Sequence, residues 1–142
     1  MENRCTISLE AKPDPADIAV INAGLSAFNR AKASDDTFTP LTLLIRDPGG
    51  KVVGGLLGGT YWGWLFVNTL WINEVFRQQG LGSQLLARAE QEARERGCHS
   101  AHLDTMDFQA PGFYEKHGYT VWGVLEDIPR GHKRIFYKKS LE

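Results

Sequence analysis

The 142-residue chain holds only two cysteines, Cys5 and Cys98, far apart and at no spacing that binds a metal. A disulfide scaffold and a cysteine-based zinc centre are excluded as organising devices, no metal is expected, and both residues read as small buried groups in a reducing compartment. No charge of one sign prevails either, since 16 Lys and Arg face 17 Asp and Glu for a net charge of −1. Bulk attraction to nucleic acid is therefore not expected, and any partner must be recognised by a site. Repeats and low-complexity tracts are lacking. The opening MENRCTISLE has no apolar run behind its basic residue. No secretory leader is expected from it, and a cytoplasmic location follows by default. One uncharged stretch, 52–73, reaches the ~20 residues that cross a bilayer. Gly54, Gly55, Gly58, Gly59 and Gly63 punctuate it, Asn68 and Thr69 are polar, and residues 65–72 are of strand-forming type, so two neighbouring strands are predicted and no membrane partner.

With 42% hydrophobic and 23% charged residues, the composition is that of a globular protein. One domain over residues 1–142 is expected, because ~100 to 200 residues per domain is usual. Residues 14–29 place Ile18, Ile21, Leu25 and Phe28 on one helical face. Residues 42–46 and 51–57 read as a hairpin around DPGG, and 65–72 as a central strand without alternation, as if covered on both faces. Leu85, Leu86, Ala89 and Ala93 mark a helix over 82–96 with Gly97 as its cap. Along it, Glu90 with Arg94 and Glu92 with Arg96 have the spacing of solvated surface pairs. A strand over 99–105, a short helix over 110–117, and strands over 119–125 and 133–139 complete the chain. Arg130, Lys133, Arg134, Lys138 and Lys139 are read as alternating out of an edge strand.

The informative segment is the junction where a strand runs through Arg77, Gln78, Gln79, Gly80, Leu81 and Gly82 into the long helix. The first amides of a helix lack intrahelical partners and stand at the positive end of its dipole. A phosphate can therefore lie against the backbone, provided no Cβ obstructs it, and Gly80 and Gly82 supply none. A P-loop would need a lysine after these glycines, and a dinucleotide fingerprint would need glycine where Leu85 stands.

The pattern Arg77, Gly80, Gly82 matches RxxGxG, and residues 70–86 resemble in order and spacing the strand, pyrophosphate loop and helix of the GNAT superfamily of acyl-CoA N-acyltransferases. A second element, APGFYEKHGY over 110–119, resembles that family's AxxxYxxxGF/Y at Ala110, Tyr114, Gly118 and Tyr119. Two departures stand out: Gln78 occupies a place where the family often has Gly, and Asp107 one where it often has Asn. The resemblance implies an α/β fold of α+β type, a mixed and mostly antiparallel sheet of six to seven strands flanked by helices. It implies acetyl-CoA as co-substrate, held by Trp71, Ile72, Arg77, Gln78, Gln79, Gly80, Leu81, Gly82 and Ser83. It also implies a small-molecule or peptide amine as acceptor, Tyr114 as general acid, and a backbone N–H near Ile72 for the carbonyl oxygen. Family habit and aromatic content are consistent with a homodimer. A catalytically silent CoA-binding module of the same fold is the alternative.

Moving an acyl group from a thioester to an amine makes unequal demands. Deprotonating an amine of pKa ~10.4 at pH 7 costs ~4.6 kcal/mol, whereas a thiol of pKa ~8.5 needs only ~2 kcal/mol of help to leave. The base is the larger burden. Glu74, just beyond the cofactor strand, is the first candidate, with Asp104, Asp107, Glu126, Asp127 and His132 as rivals. Trp62 and Trp64 are read as candidate walls of an acceptor pocket, and Glu126 and Asp127 as carboxylates suited to a cationic amine.

Overall fold

The computed structural model describes residues 4–142, in two compact units. The first unit, up to Asp36, contains one helix, α1 (Pro15–Lys32). Asp14 caps it by accepting the Ala16 N–H at 2.9 Å, and Pro15 fills the first position, where no N–H is needed. Beyond its end, Asp36 accepts from Ser26 at 2.8 Å and Asn29 at 3.4 Å.

The second unit, from Thr37 on, is a six-stranded sheet with helices. Its elements are β1 (Thr39–Arg46), β2 (Val52–Tyr61), β3 (Trp64–Ile72), a 3-10 turn at Glu74–Phe76, α2 (Leu81–Glu95), β4 (Ser100–Met106), α3 (Pro111–Lys116), β5 (Thr120–Glu126) and β6 (Lys133–Ser140). The sheet order is β1-β2-β3-β4-β6-β5, antiparallel except for the parallel pair β3–β4. This is the mixed, mostly antiparallel architecture expected. The hairpin closes through Asp47, Gly50 with φ 85°, and the Asp47 N–H to Lys51 C=O bond of 2.9 Å. Gly97, at φ 86°, ends α2 in the left-handed conformation foreseen.

The core lies between one face of the sheet and α2. Leu85, Leu86, Ala89 and Ala93, the apolar stripe of α2, pack with Leu41, Leu56, Leu65, Val67, Ala101 and Leu103, and Tyr114, Tyr119 and Tyr137 extend the cluster.

Four expectations change. β3 does alternate: Leu65 and Val67 are buried, while Trp64 and Phe66 are half-buried on the opposite face, because only one face receives α2. β6 is an inner strand between β4 and β5, so its basic residues do not line an edge. Glu90 is 5% exposed rather than solvated, since the chain end folds over it and supplies Tyr119 and Lys139 as partners. Cys5 is exposed, whereas Cys98 is buried as expected.

Glycines in β2 permit close strand approach. A Cβ at Gly58 would collide with the Phe66 carbonyl oxygen of β3, a backbone atom that cannot rotate away. Gly58→Ala is therefore expected to cost about 3 kcal/mol, the upper end of overpacking losses, and to lower Tm by roughly 10 °C in a thermal melt.

Candidate active site

The site arises where two parallel strands part. β3 and β4 pair only from Trp64↔Ser100 to Val67↔Leu103. Beyond that point β3 stays with β2 as far as Ile72, while β4 stays with β6 as far as Met106. A bulge helps the divergence: the register steps from Thr69↔Leu57 to Val67↔Gly58, leaving Asn68 as the extra residue of β3. Backbone groups on the parted edges lose their ladder partners, and a cleft of about 880 Å³ opens between them. Residues 67–72 of β3 form one wall, and Asp104 and Thr105 of β4, with Phe108, Phe113 and Tyr114, form the other.

The turn from β3 into α2 closes one end. Asn73 accepts the Val75 N–H at 3.1 Å, and Arg77 Nε donates to the Ile72 carbonyl at 2.8 Å, tying the loop to the end of the strand. Gln78 has φ 61° and Gly80 φ 77°. The first explains why glycine suits this place: a residue with a Cβ is strained there by roughly 1–2 kcal/mol. A Cβ at Gly80 would meet nothing within 4 Å, so that glycine is required by its φ rather than by crowding. Gly80 caps α2 without any side-chain hydrogen bond, and the first helical bond, Gln84 N–H to Gly80 C=O, spans 3.1 Å. The amides of Leu81, Gly82 and Ser83 precede it and point to where an anion can lie. Ser83 Oγ is 3.0 Å from His117 Nε2, which joins this turn to the end of α3.

Three buried tyrosines differ in what holds them. Tyr119 donates to Glu90 at 3.0 Å and Tyr137 to Glu115 at 3.2 Å. Tyr114 lines the cleft, and its hydroxyl has no protein hydrogen-bond partner among the described residues. Burial, with a smaller contribution from the Asp104 carboxylate, pushes its phenol above the ordinary value, so it stays protonated. Asp104 is itself held by Arg134 Nε at 2.8 Å.

Most of the expected cofactor residues converge here: Trp71, Ile72, Arg77, Gln78, Gly80, Leu81, Gly82 and Ser83 all line the cleft, and Gln79 does not. Glu74 opens the 3-10 turn as an exposed residue outside the lining. Trp62 and Trp64 line a different pocket of about 370 Å³ with Tyr61, His102, Trp122 and Lys138, because they lie at the paired end of β3 rather than at its parted end. Glu126 and Asp127 are exposed at the end of β5 and also stand outside the cleft lining. Thr105 and Phe108 were not foreseen as site residues; only the order of the strands brings the end of β4 to face β3. Among the described residues no cluster of His, Cys, Asp and Glu suited to a metal ion is present, and no helix is long and apolar enough to cross a membrane.

Comparison with known proteins adds to this geometry. The acetyltransferase (GNAT) family model matches residues 9–119. The acetyltransferase Atu2258 of Agrobacterium fabrum is 40% identical over 115 residues, 81% of this chain and 84% of that protein. A blasticidin-S acetyltransferase of Streptomyces morookaense is 48% identical over 83 residues, 58% of this chain and 61% of that one. The crystal structure of an acetyltransferase from Bacillus cereus superposes with a TM-score of 0.83 at 34% identity, over 94% of this chain and 97% of that one.

Proposed function

The chain belongs to the GNAT acetyltransferase family, and from that premise we propose that it moves the acetyl group of acetyl-CoA directly to a primary amine of a small molecule, with Tyr114 as general acid. The observation that carries this reading is the pairing of uncapped amides at the start of α2 with a buried, unpartnered tyrosine in the same cleft. Coenzyme A fits those groups: its pyrophosphate on the Leu81, Gly82 and Ser83 amides beside Arg77, its thioester arm between the parted strands. A main-chain N–H of the parted β3 edge near Ile72 then stabilises the carbonyl oxygen as it gains charge. The relative named for acetylating blasticidin S supports a small molecule over a peptide as acceptor.

Full proton transfer from a phenol above pKa ~10 to a thiolate of ~8.5 is uphill by more than ~2 kcal/mol if taken alone. Tyr114 therefore acts first as a hydrogen-bond donor to the sulfur. Its proton moves as nitrogen loses its own, which lowers the cost of each step.

Release of free thiol from acetyl-CoA across polyamines, amino-acid amides and aminoglycosides tests this. Turnover with at least one amine is expected. Tight acetyl-CoA binding without turnover of any of them points instead to a silent CoA-binding module.

A further inference from the structure

The base left open by the chemistry has a candidate built from two elements beside the cleft. Asp107 follows β4, and its backbone N–H continues the ladder to the Lys133 carbonyl at 2.9 Å. Its carboxylate is held twice: Oδ2 accepts the Lys133 N–H at 2.9 Å, and Oδ1 lies 2.9 Å from His132 Nδ1. Burial works to raise this carboxyl, but hydrogen bonds from His132 and the Lys133 and Phe108 amides outweigh it and hold Asp107 below the ordinary carboxylate range. An ionised carboxylate only accepts, so Nδ1 must carry the hydrogen, and neutral His132 therefore presents its lone pair at Nε2. The ring is exposed and, like Asp107, stands outside the cleft lining; it reaches the cleft by packing edge-on against Phe108 at 5.0 Å, and Phe108 is part of the cleft wall.

The surrounding charges leave this imidazole available. Arg134 is engaged by Asp104 at 2.8 Å, and Lys133 Nζ lies 4.0 Å from Glu126. Asp127, exposed, accepts the Gly131 N–H of its own loop at 3.2 Å. Arg130, on the same β5–β6 loop, is exposed.

We propose that His132 is the general base that deprotonates the amine acceptor, with Asp107 as the positioning residue that fixes its tautomer; this rests on the acetyl-transfer reading above. The ammonium of the acceptor gives one proton to Nε2, which passes it to water. The neutral nitrogen attacks the thioester carbonyl, the C–N bond forms and the C–S bond breaks. Sulfur takes the Tyr114 proton, and the second proton of nitrogen restores the phenol, leaving amide and free thiol.

A base matters in proportion to how strongly the acceptor holds its proton. The test therefore compares two probes, the side-chain amine of N-acetyl-lysine amide (pKa ~10.4) and the α-amine of alaninamide (~8). At pH 7, His132→Gln is expected to lower kcat about 10²-fold with the first probe and less than about threefold with the second. Its acetyl-CoA Kd stays within about twofold of wild type, which separates the effect from misfolding. Raising the pH restores the variant's rate, because hydroxide and the free amine take over the task. Asp107→Asn is expected to lower kcat with KM nearly unchanged and to shift the rising limb of the pH profile, which a merely structural contact would not do. Equal losses on both probes, or none, overturn the assignment. So does finding the probe-dependent loss in Glu74→Gln and not in His132→Gln. A wild-type chain that turns over neither these two amines nor any of the polyamines, amino-acid amides and aminoglycosides overturns the acetyl-transfer reading and this inference with it, whereas wild-type turnover matched by His132→Gln overturns the inference alone.

Discussion

Tyr114→Phe is expected to lower kcat by roughly 10² to 10³ while leaving the acetyl-CoA Kd within about twofold. The asymmetry follows from where the hydroxyl stands. The ring belongs to the core and touches Tyr119 at 6.0 Å and Tyr137 at 6.1 Å between centroids, so phenylalanine keeps the packing. What is lost is one donor that no other group among the described residues holds and that faces the cleft. In the ground state the thioester sulfur is a poor acceptor, so the hydrogen bond strengthens only as negative charge develops on it. Interactions of that kind change kcat rather than binding. Tyr137→Phe is the internal control: its hydroxyl donates to Glu115, and its loss should leave kcat within about twofold. Because burial raises the Tyr114 pKa above its ordinary value, the wild-type rate should show no falling limb below pH 10 from this group. Thiol release followed over pH with both variants checks all of this, and a Tyr114→Phe enzyme at near wild-type kcat removes the tyrosine from the mechanism.

How far the site could be read beforehand depended on whether its parts are contiguous in the chain. The turn proposed to hold the cofactor is local: Arg77, Gly80 and Gly82 sit within six residues, and the chemistry of an uncapped helix start needs no distant partner. Gly97 as a cap, the DPGG turn and the stripe on α2 were legible for the same reason. The contact between Asp107 and His132 was not, although each residue alone is a candidate base on sequence grounds. Asp107 and His132 are 25 residues apart and meet only because β6 returns beside β4, a neighbour relation that alternation within each strand does not encode. Trp62 and Trp64 lie apart for the opposite reason: they are close in sequence to the strand that enters the turn, but strand rise carries them away from its parted end to the second pocket. Glu74 likewise follows that strand directly, yet the 3-10 turn that begins there leaves it on the outside.

Glu90→Ala is expected to cost about 3 to 5 kcal/mol, enough to lower Tm by well over 10 °C, although Glu90 stands outside the cleft lining. Its i, i+4 relation to Arg94 suggests a surface pair worth only ~0.2–0.5 kcal/mol. The structure makes it something else. Glu90 Oε1 accepts Lys139 Nζ at 2.7 Å and Oε2 accepts the Tyr119 hydroxyl at 3.0 Å, while Arg94 stands off at 3.8 Å. The Lys139 side chain is 22% exposed and the Glu90 side chain 6%, so neither is well hydrated. Removing the carboxylate leaves a part-buried ammonium and a buried phenolic hydroxyl without their acceptor at once, and the penalty is their desolvation rather than the worth of the pair itself. Arg94 also donates to the Leu141 carbonyl at 2.9 Å, so the same cluster clamps the last strand across α2. Two further variants separate the causes. Glu90→Gln still accepts from Tyr119 but leaves the Lys139 charge uncompensated, and should recover less than half of the loss. The triple change Glu90→Leu, Lys139→Met, Tyr119→Phe removes every stranded polar group and should return Tm to within a few degrees of wild type, as replacement of buried ion pairs by apolar groups of similar volume often does. If Glu90→Ala alone melts at the wild-type temperature, the cluster is hydrated in solution and does not hold the chain end.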